Sequence, residues 1–123
     1  MLTDAPVMAF VSVTDLRAAR GFYGTTLGLR LTGEDGFALE FALPNARLRV
    51  TAVGELRPQP FTVVGWVVAD LDATMAALSD AGIVFARFDG LEQDARGAWT
   101  SPSGARIAWF RDPDGNVLSI TQR

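Results

Sequence analysis

The chain has 123 residues, of which 49% are hydrophobic and 20% charged, enough for one domain with its own core and far from a disordered composition. Net charge is −3 with arginines scattered and no basic run, which argues against a nucleic-acid surface, and no apolar run approaches the roughly 18 residues of a membrane span. Cysteine and histidine are both absent. That removes disulfides, thiolate chemistry and histidine-based acid–base catalysis, and a zinc, copper or nickel site would need carboxylates alone, which suit harder ions. The N-terminus shows no basic segment followed by an apolar one, and the expected compartment is the cytoplasm.

In chain order, Met8–Val13 (MAFVSV) reads as a strand, and Asp15 is placed to cap a helix whose Leu16, Ala19, Tyr23 and Leu27 share one face. Gly28 is a natural stop. Three strands are predicted next, Leu29–Thr32, Phe37–Leu43 and Arg47–Val53, separated by GEDG and PNA turns. After the connector GELRPQP the pattern returns. Phe61–Val68 reads as a strand, Asp70 caps a helix with Leu71, Met75, Leu78 and Ala81 inward, and Gly82 closes it. Strands at Val84–Phe88, Ala98–Thr100, Ile107–Phe110 and Val117–Thr121 follow, the last two hairpins turned by SPSG and DPDG, with Pro second and Gly fourth.

The two halves match. VSVTDLRAA and WVVADLDAT share a strand, an Asp-Leu cap and a helix rich in small residues, and the capping aspartates lie 55 positions apart. Each half reads β-α-β-β-β. The predicted class is α+β, a single domain over residues 1–123 with repeats at about 7–54 and 61–123, its two βαβββ units forming a cupped mixed sheet with helices outside.

Strand alternation divides the faces. If Met8 points into the cup, so do Phe10 and Ser12; Val63, Gly65 and Val67 follow in the second half, as do Val117, Ser119 and Thr121. The cup is then apolar with a few hydroxyls, in keeping with a small-molecule pocket; a filled core without a cavity is the other reading. Trp99 is placed to stack on a planar ligand or to serve the core. Glu40 interrupts the apolar run FALEFAL and reads either as a base or cation contact or as part of a solvated face. Arg47 and Arg49 alternate with Leu48 and Val50, as on an exposed face, with anion binding as the alternative. DGLEQDARG is polar and bounded by glycines, which puts Glu92, Gln93 and Asp94 at the rim of a cup.

The strand ending in Val-x-Asp-Leu, the helix with FYGTTLGL and the terminal FRDPDGNVLSI resemble the vicinal oxygen chelate superfamily, which includes glyoxalase I, bleomycin-resistance proteins and extradiol dioxygenases. In its metal-using members each unit supplies two ligands, one from its first strand and one from its last. Carried over by position, these fall at Met8, Val63 and Ser119, with the fourth at Val50 and Arg49 and Thr51 as its neighbours. A thioether, two branched apolar chains and a hydroxyl offer a divalent ion no negative charge. Ser119 therefore reads as a vacated ligand position rather than a nucleophile, since no base stands beside it to activate it. The resemblance implies a metal-independent protein without cofactor, of the bleomycin-resistance type, that binds a small organic molecule through Met8, Phe10, Val50, Val63, Gln93, Trp99 and Ser119. It also implies a homodimer. The rival readings are a cofactor-independent isomerase or lyase with Glu40 or Glu92 as base, and an interaction module with a filled cup.

Overall fold

The computed structural model describes all residues from 1 to 123, in two compact units, Met1–Arg57 and Pro58–Arg123. The first contains β1 (Val7–Val13), α1 (Leu16–Ala19) running into a π-helical segment (Arg20–Thr26), then β2 (Arg30–Glu34), β3 (Ala38–Leu43) and β4 (Ala46–Ala52). The second contains β5 (Thr62–Val67), α2 (Leu71–Asp80), β6 (Trp99–Thr100), β7 (Arg106–Arg111) and β8 (Val117–Gln122). Each unit has one mixed four-stranded sheet, ordered β1-β4-β3-β2 and β5-β8-β7-β6, with its first strand parallel to its last. The two-repeat α+β class is the one the sequence pattern predicts. No helix is long and apolar enough to cross a membrane.

Both helices start where the aspartates put them. The Asp15 carboxylate accepts from the N–H groups of Arg17 and Ala18 at 2.9 and 3.1 Å, and the Asp70 carboxylate from that of Ala73 at 3.0 Å. At the other end Gly28 and Gly82 adopt φ of +74° and +96°, the left-handed conformation that ends a helix without a Cβ clash. The π-helical stretch is not foreseen. There the Leu27 N–H reaches the Phe22 carbonyl at 2.9 Å, five residues back, in a segment whose two glycines weaken the ordinary helical ladder.

In the first unit Val11, Val13, Leu39, Phe41, Leu48 and Val50 form the helix-covered face of the sheet with Ala19 and Tyr23. Tyr23 is fully buried, its ring 6.2 Å from that of Phe41. In the second unit Leu71 and Met75 cover Ala108, Phe110, Leu118 and Ile120, and the Gln122 side chain accepts from the Leu71 N–H at 2.8 Å.

The strand predicted over Val84–Phe88 does not form. Only the Ala86 N–H reaches β7, at the Trp109 carbonyl 2.7 Å away, and the Ala86 carbonyl is taken by the Gln93 side chain instead of a ladder. The two Pro-containing turns close as predicted, with Gly104 N–H on the Ser101 carbonyl and Gly115 N–H on the Asp112 carbonyl.

Candidate functional site

The face of each sheet turned away from its helix carries the candidate residues. In the first unit β1 and β4 pair Met8 with Arg47, Phe10 with Arg49 and Ser12 with Thr51, and β3 brings Glu40 opposite Arg49. Residues paired across a ladder share a face, so Met8, Phe10, Glu40, Arg49 and Thr51 stand together. Phe10 is 62% exposed, an apolar ring open to contact. The Arg49 guanidinium lies 3.3 Å from the Asp35 carboxylate and 3.8 Å from that of Glu40. Asp35 is held below the usual carboxylate range, chiefly because its side chain accepts from the N–H groups of Phe37 and Ala38, with Arg49 adding to the effect. Beside them the Thr51 hydroxyl is buried without a hydrogen-bond partner.

Val50 is not on this face. It is fully buried, pairs with Val11 and Leu39 and packs under the helix, so the open-face position expected of it is occupied by Arg49. The reason is alternation: a one-residue shift along a strand moves a side chain to the opposite face. The internal repeat agrees. Phe10 and Gly65 lie 55 positions apart, like the capping aspartates, and pair with Arg49 and Ser119 respectively, which makes Arg49 the counterpart of Ser119.

In the second unit β5 carries a bulge between Thr62 and Val64. Thr62 pairs with Val117 and Gly65 with Ser119, so Val63 is the inserted residue and Thr62 takes the face position that plain alternation assigns to Val63. Ser119 is buried, facing Gly65 on one side and Trp109 on the other. Trp99 stands next to Trp109, ring centroids 6.2 Å apart, and buttresses it. Phe88 meets Trp109 edge to face at 5.5 Å, and the Arg111 guanidinium lies 5.8 Å from the Phe88 ring centre. Together Phe61, Thr62, Phe88, Leu91, Trp109 and Val117, with Pro60, line an open hollow of about 290 Å³.

Gln93 is near this hollow in sequence but does not serve it. Its amide NH2 donates to the carbonyls of Ala86 and Gly97 at 2.9 and 2.8 Å, and its carbonyl oxygen accepts from the Phe88 N–H at 2.7 Å. Both N–H donors and one lone pair of the amide oxygen are thus spent on shaping the loop. Glu92 is exposed. The residues missed by sequence reasoning, Phe61, Phe88 and Leu91, were legible only as apolar side chains inside otherwise polar stretches.

A divalent metal does not fit these positions. Met8, Arg49, Thr62 or Val63, and Ser119 offer no carboxylate or imidazole, Arg49 adds a fixed positive charge, and no three His, Cys, Asp or Glu side chains gather elsewhere.

Two βαβββ units, each with its first strand parallel to its last and one sheet face left open, define a paired-repeat protein of the glyoxalase type. Residues 6–120 match the model of the Glyoxalase/Bleomycin resistance protein/Dioxygenase superfamily, and the chain belongs to that family. Its fold is similar to that of a glyoxalase family protein from Bacillus anthracis (TM-score 0.77, 16% identity, covering 95% of this chain and 93% of that one). It is also similar to a lactoylglutathione lyase from Agrobacterium tumefaciens (TM-score 0.73, 17% identity, covering 94% and 91%). A superfamily member from Sphaerobacter thermophilus gives a TM-score of 0.73 at 20% identity, covering 95% of each chain. At these identities the likeness is one of fold. No curated protein sequence matches the chain.

Proposed function

We propose that this protein binds a small, planar organic molecule on its open sheet faces without a metal ion, as a homodimer in the cytoplasm. The observation that carries the reading is the hollow of the second unit, where Phe61, Phe88 and Trp109 present apolar ring surface beside Thr62. Aromatic walls with few polar groups favour a flat, weakly polar ligand, and a volume of about 290 Å³ suits one or two fused rings. Met8, Phe10, Trp99 and Ser119 remain on the open faces as contacts or supports. Val7 and Phe10 on β1, and Val67 on β5, expose 63%, 62% and 65% of their surface on strands at the edge of their sheets, which favours a second copy as partner.

The test is thermal unfolding and tryptophan fluorescence against planar aromatic compounds, with divalent metals and a chelator as separate arms. A ligand at about 100 times its Kd should stabilise the fold by roughly 2.7 kcal/mol, and Trp109→Ala should abolish the response. A shift with metal, or a response indifferent to Trp109, would overturn the reading. Light scattering of the purified chain tests the dimer.

A further inference from the structure

We infer that the helix side of the second unit holds a second binding site, for a free α-amino acid with an apolar side chain, in the hollow between α2 and the loop at Arg96. The site is distinct from the open sheet faces and does not depend on the function proposed for them. The hollow measures about 310 Å³ and is lined by Met75, Ala76, Ser79 and Asp80 of α2 and by Phe85 and Arg96. Its lining combines three features that a zwitterion needs together. Met75 and Phe85 supply an apolar floor, Asp80 a negative rim and Arg96 a positive one.

Neither charge has a close ionic partner, although Arg96 stands near enough to Asp72 to help lower its carboxyl. Neither Asp80 nor Arg96 takes part in an ion pair within 4 Å, although other charged side chains of this surface do: Arg106 is paired with Asp72 at 3.0 Å and with Asp94 at 3.5 Å. Asp80 is moreover the last residue of α2, in a final turn without a basic residue. A carboxylate there faces the negative end of the helix dipole and works against helix stability. Such a local conflict is the kind of feature that function retains. A ligand ammonium would satisfy the carboxylate and the dipole at once.

Arg96 is held in place through its backbone. The Asp94 carboxylate accepts from the N–H groups of Arg96, Gly97 and Ala98 at 2.9, 3.0 and 3.0 Å, and Gly97 sits at φ +105°, a conformation that favours glycine, where an added Cβ would meet that of Phe85 at 3.2 Å. The guanidinium therefore starts from a fixed turn, ready to take a carboxylate through paired N–H donors.

The experiment uses the intact chain, labelled at its methionine methyls, of which there are three. Met75 reports the hollow, while Met8 on the open sheet face and Met1 serve as internal controls. L-leucine should move the Met75 signal in a saturable way and leave Met8 still. N-acetyl-L-leucine and L-leucinamide, each lacking one charge, should bind at least about tenfold more weakly, as should leucine to Asp80→Asn or Arg96→Gln. Both substitutions are at exposed positions, so folding should be preserved. A Met75 signal unmoved by leucine at millimolar concentration overturns the site. Equal binding of N-acetyl-L-leucine overturns the zwitterion assignment, and a response at Met8 alone places leucine on the open face instead.

Discussion

A Cβ built on Gly65 would lie 2.5 Å from the Oγ of Ser119, so the two positions share space that only one side chain can fill. Ser119 is where the family resemblance puts a metal ligand, and here its hydroxyl folds over a neighbouring strand that has no side chain to obstruct it. We expect Gly65→Ala to destabilise the protein by about 1–2 kcal/mol through overpacking, and Ser119→Ala in the same background to recover most of the loss. A double-mutant cycle by urea denaturation measures the coupling. Additive effects would show that the hydroxyl simply rotates away.

The repeat was legible because its markers are local: a capping aspartate, a stopping glycine and a Pro-Gly turn each act within a few residues. What escaped is set by register and by the loop. Leu48 and Val50 are the apolar members of their strand and must turn to the helix, which leaves Arg49 on the open face; that alternation was in the sequence, but positional transfer from the family slipped by one. The bulge at Val63 has no local signature. Nor does the failure of Val84–Phe88 to join the sheet, since it depends on Gln93 seven residues beyond Ala86 claiming a carbonyl that a ladder would need.

The DPDGN turn makes a sharper stability prediction. Asp112 is 5% exposed, and its carboxylate accepts from the N–H groups of Asp114 and Asn116 at 3.0 and 2.9 Å and from the Asn116 side chain at 2.8 Å. Asp112→Ala strips these buried donors of their acceptor and should cost about 2–3 kcal/mol, while Asp112→Asn, which keeps one acceptor oxygen, should cost less. Calorimetric melting temperatures of the two variants give the order. Equal losses would mean that the turn is held by its backbone alone.

Acid should destabilise the protein in a window set by three aspartates. Asp35 is lowered mainly by the Phe37 and Ala38 N–H groups, and Asp72 mainly by its bonds to Arg106. For Asp94 burial pushes upward, but the N–H groups of Ala98, Arg96 and Gly97, with Arg106 nearby, outweigh it and the net shift is downward. A carboxyl lowered in the folded state contributes stability that is complete above its unfolded value of about 3.9 and is lost as pH falls through the folded value. Urea midpoints should thus hold steady down to about pH 5 and fall below about pH 4. Asp94→Asn and Asp72→Asn should each flatten that fall. Added salt should weaken the exposed Asp72–Arg106 contribution more than that of Asp94, which is lowered mainly by backbone N–H groups and only secondarily by Arg106.

Gln93→Glu should give the opposite pH response, and this separates a structural glutamine from a ligand contact. At neutral pH the introduced carboxylate still accepts from the Phe88 N–H, but its second oxygen faces the carbonyls of Ala86 and Gly97, where the native amide donates twice. Two acceptors then lose their donor beside a negative charge, a cost of about 2–4 kcal/mol; Gln93→Leu leaves these carbonyls and also the Phe88 N–H unpaired but adds no charge. Because the charged form is disfavoured in the fold, the carboxyl's folded value is raised, and stability returns as pH falls and the protonated group donates to one of the two carbonyls. Comparing melting temperatures of the variant and the native protein at pH 7 and at about pH 4.5 tests this, above the range in which the lowered Asp35, Asp72 and Asp94 take up protons. A penalty that does not shrink on acidification would show that the loop rearranges around position 93 instead of being shaped by it.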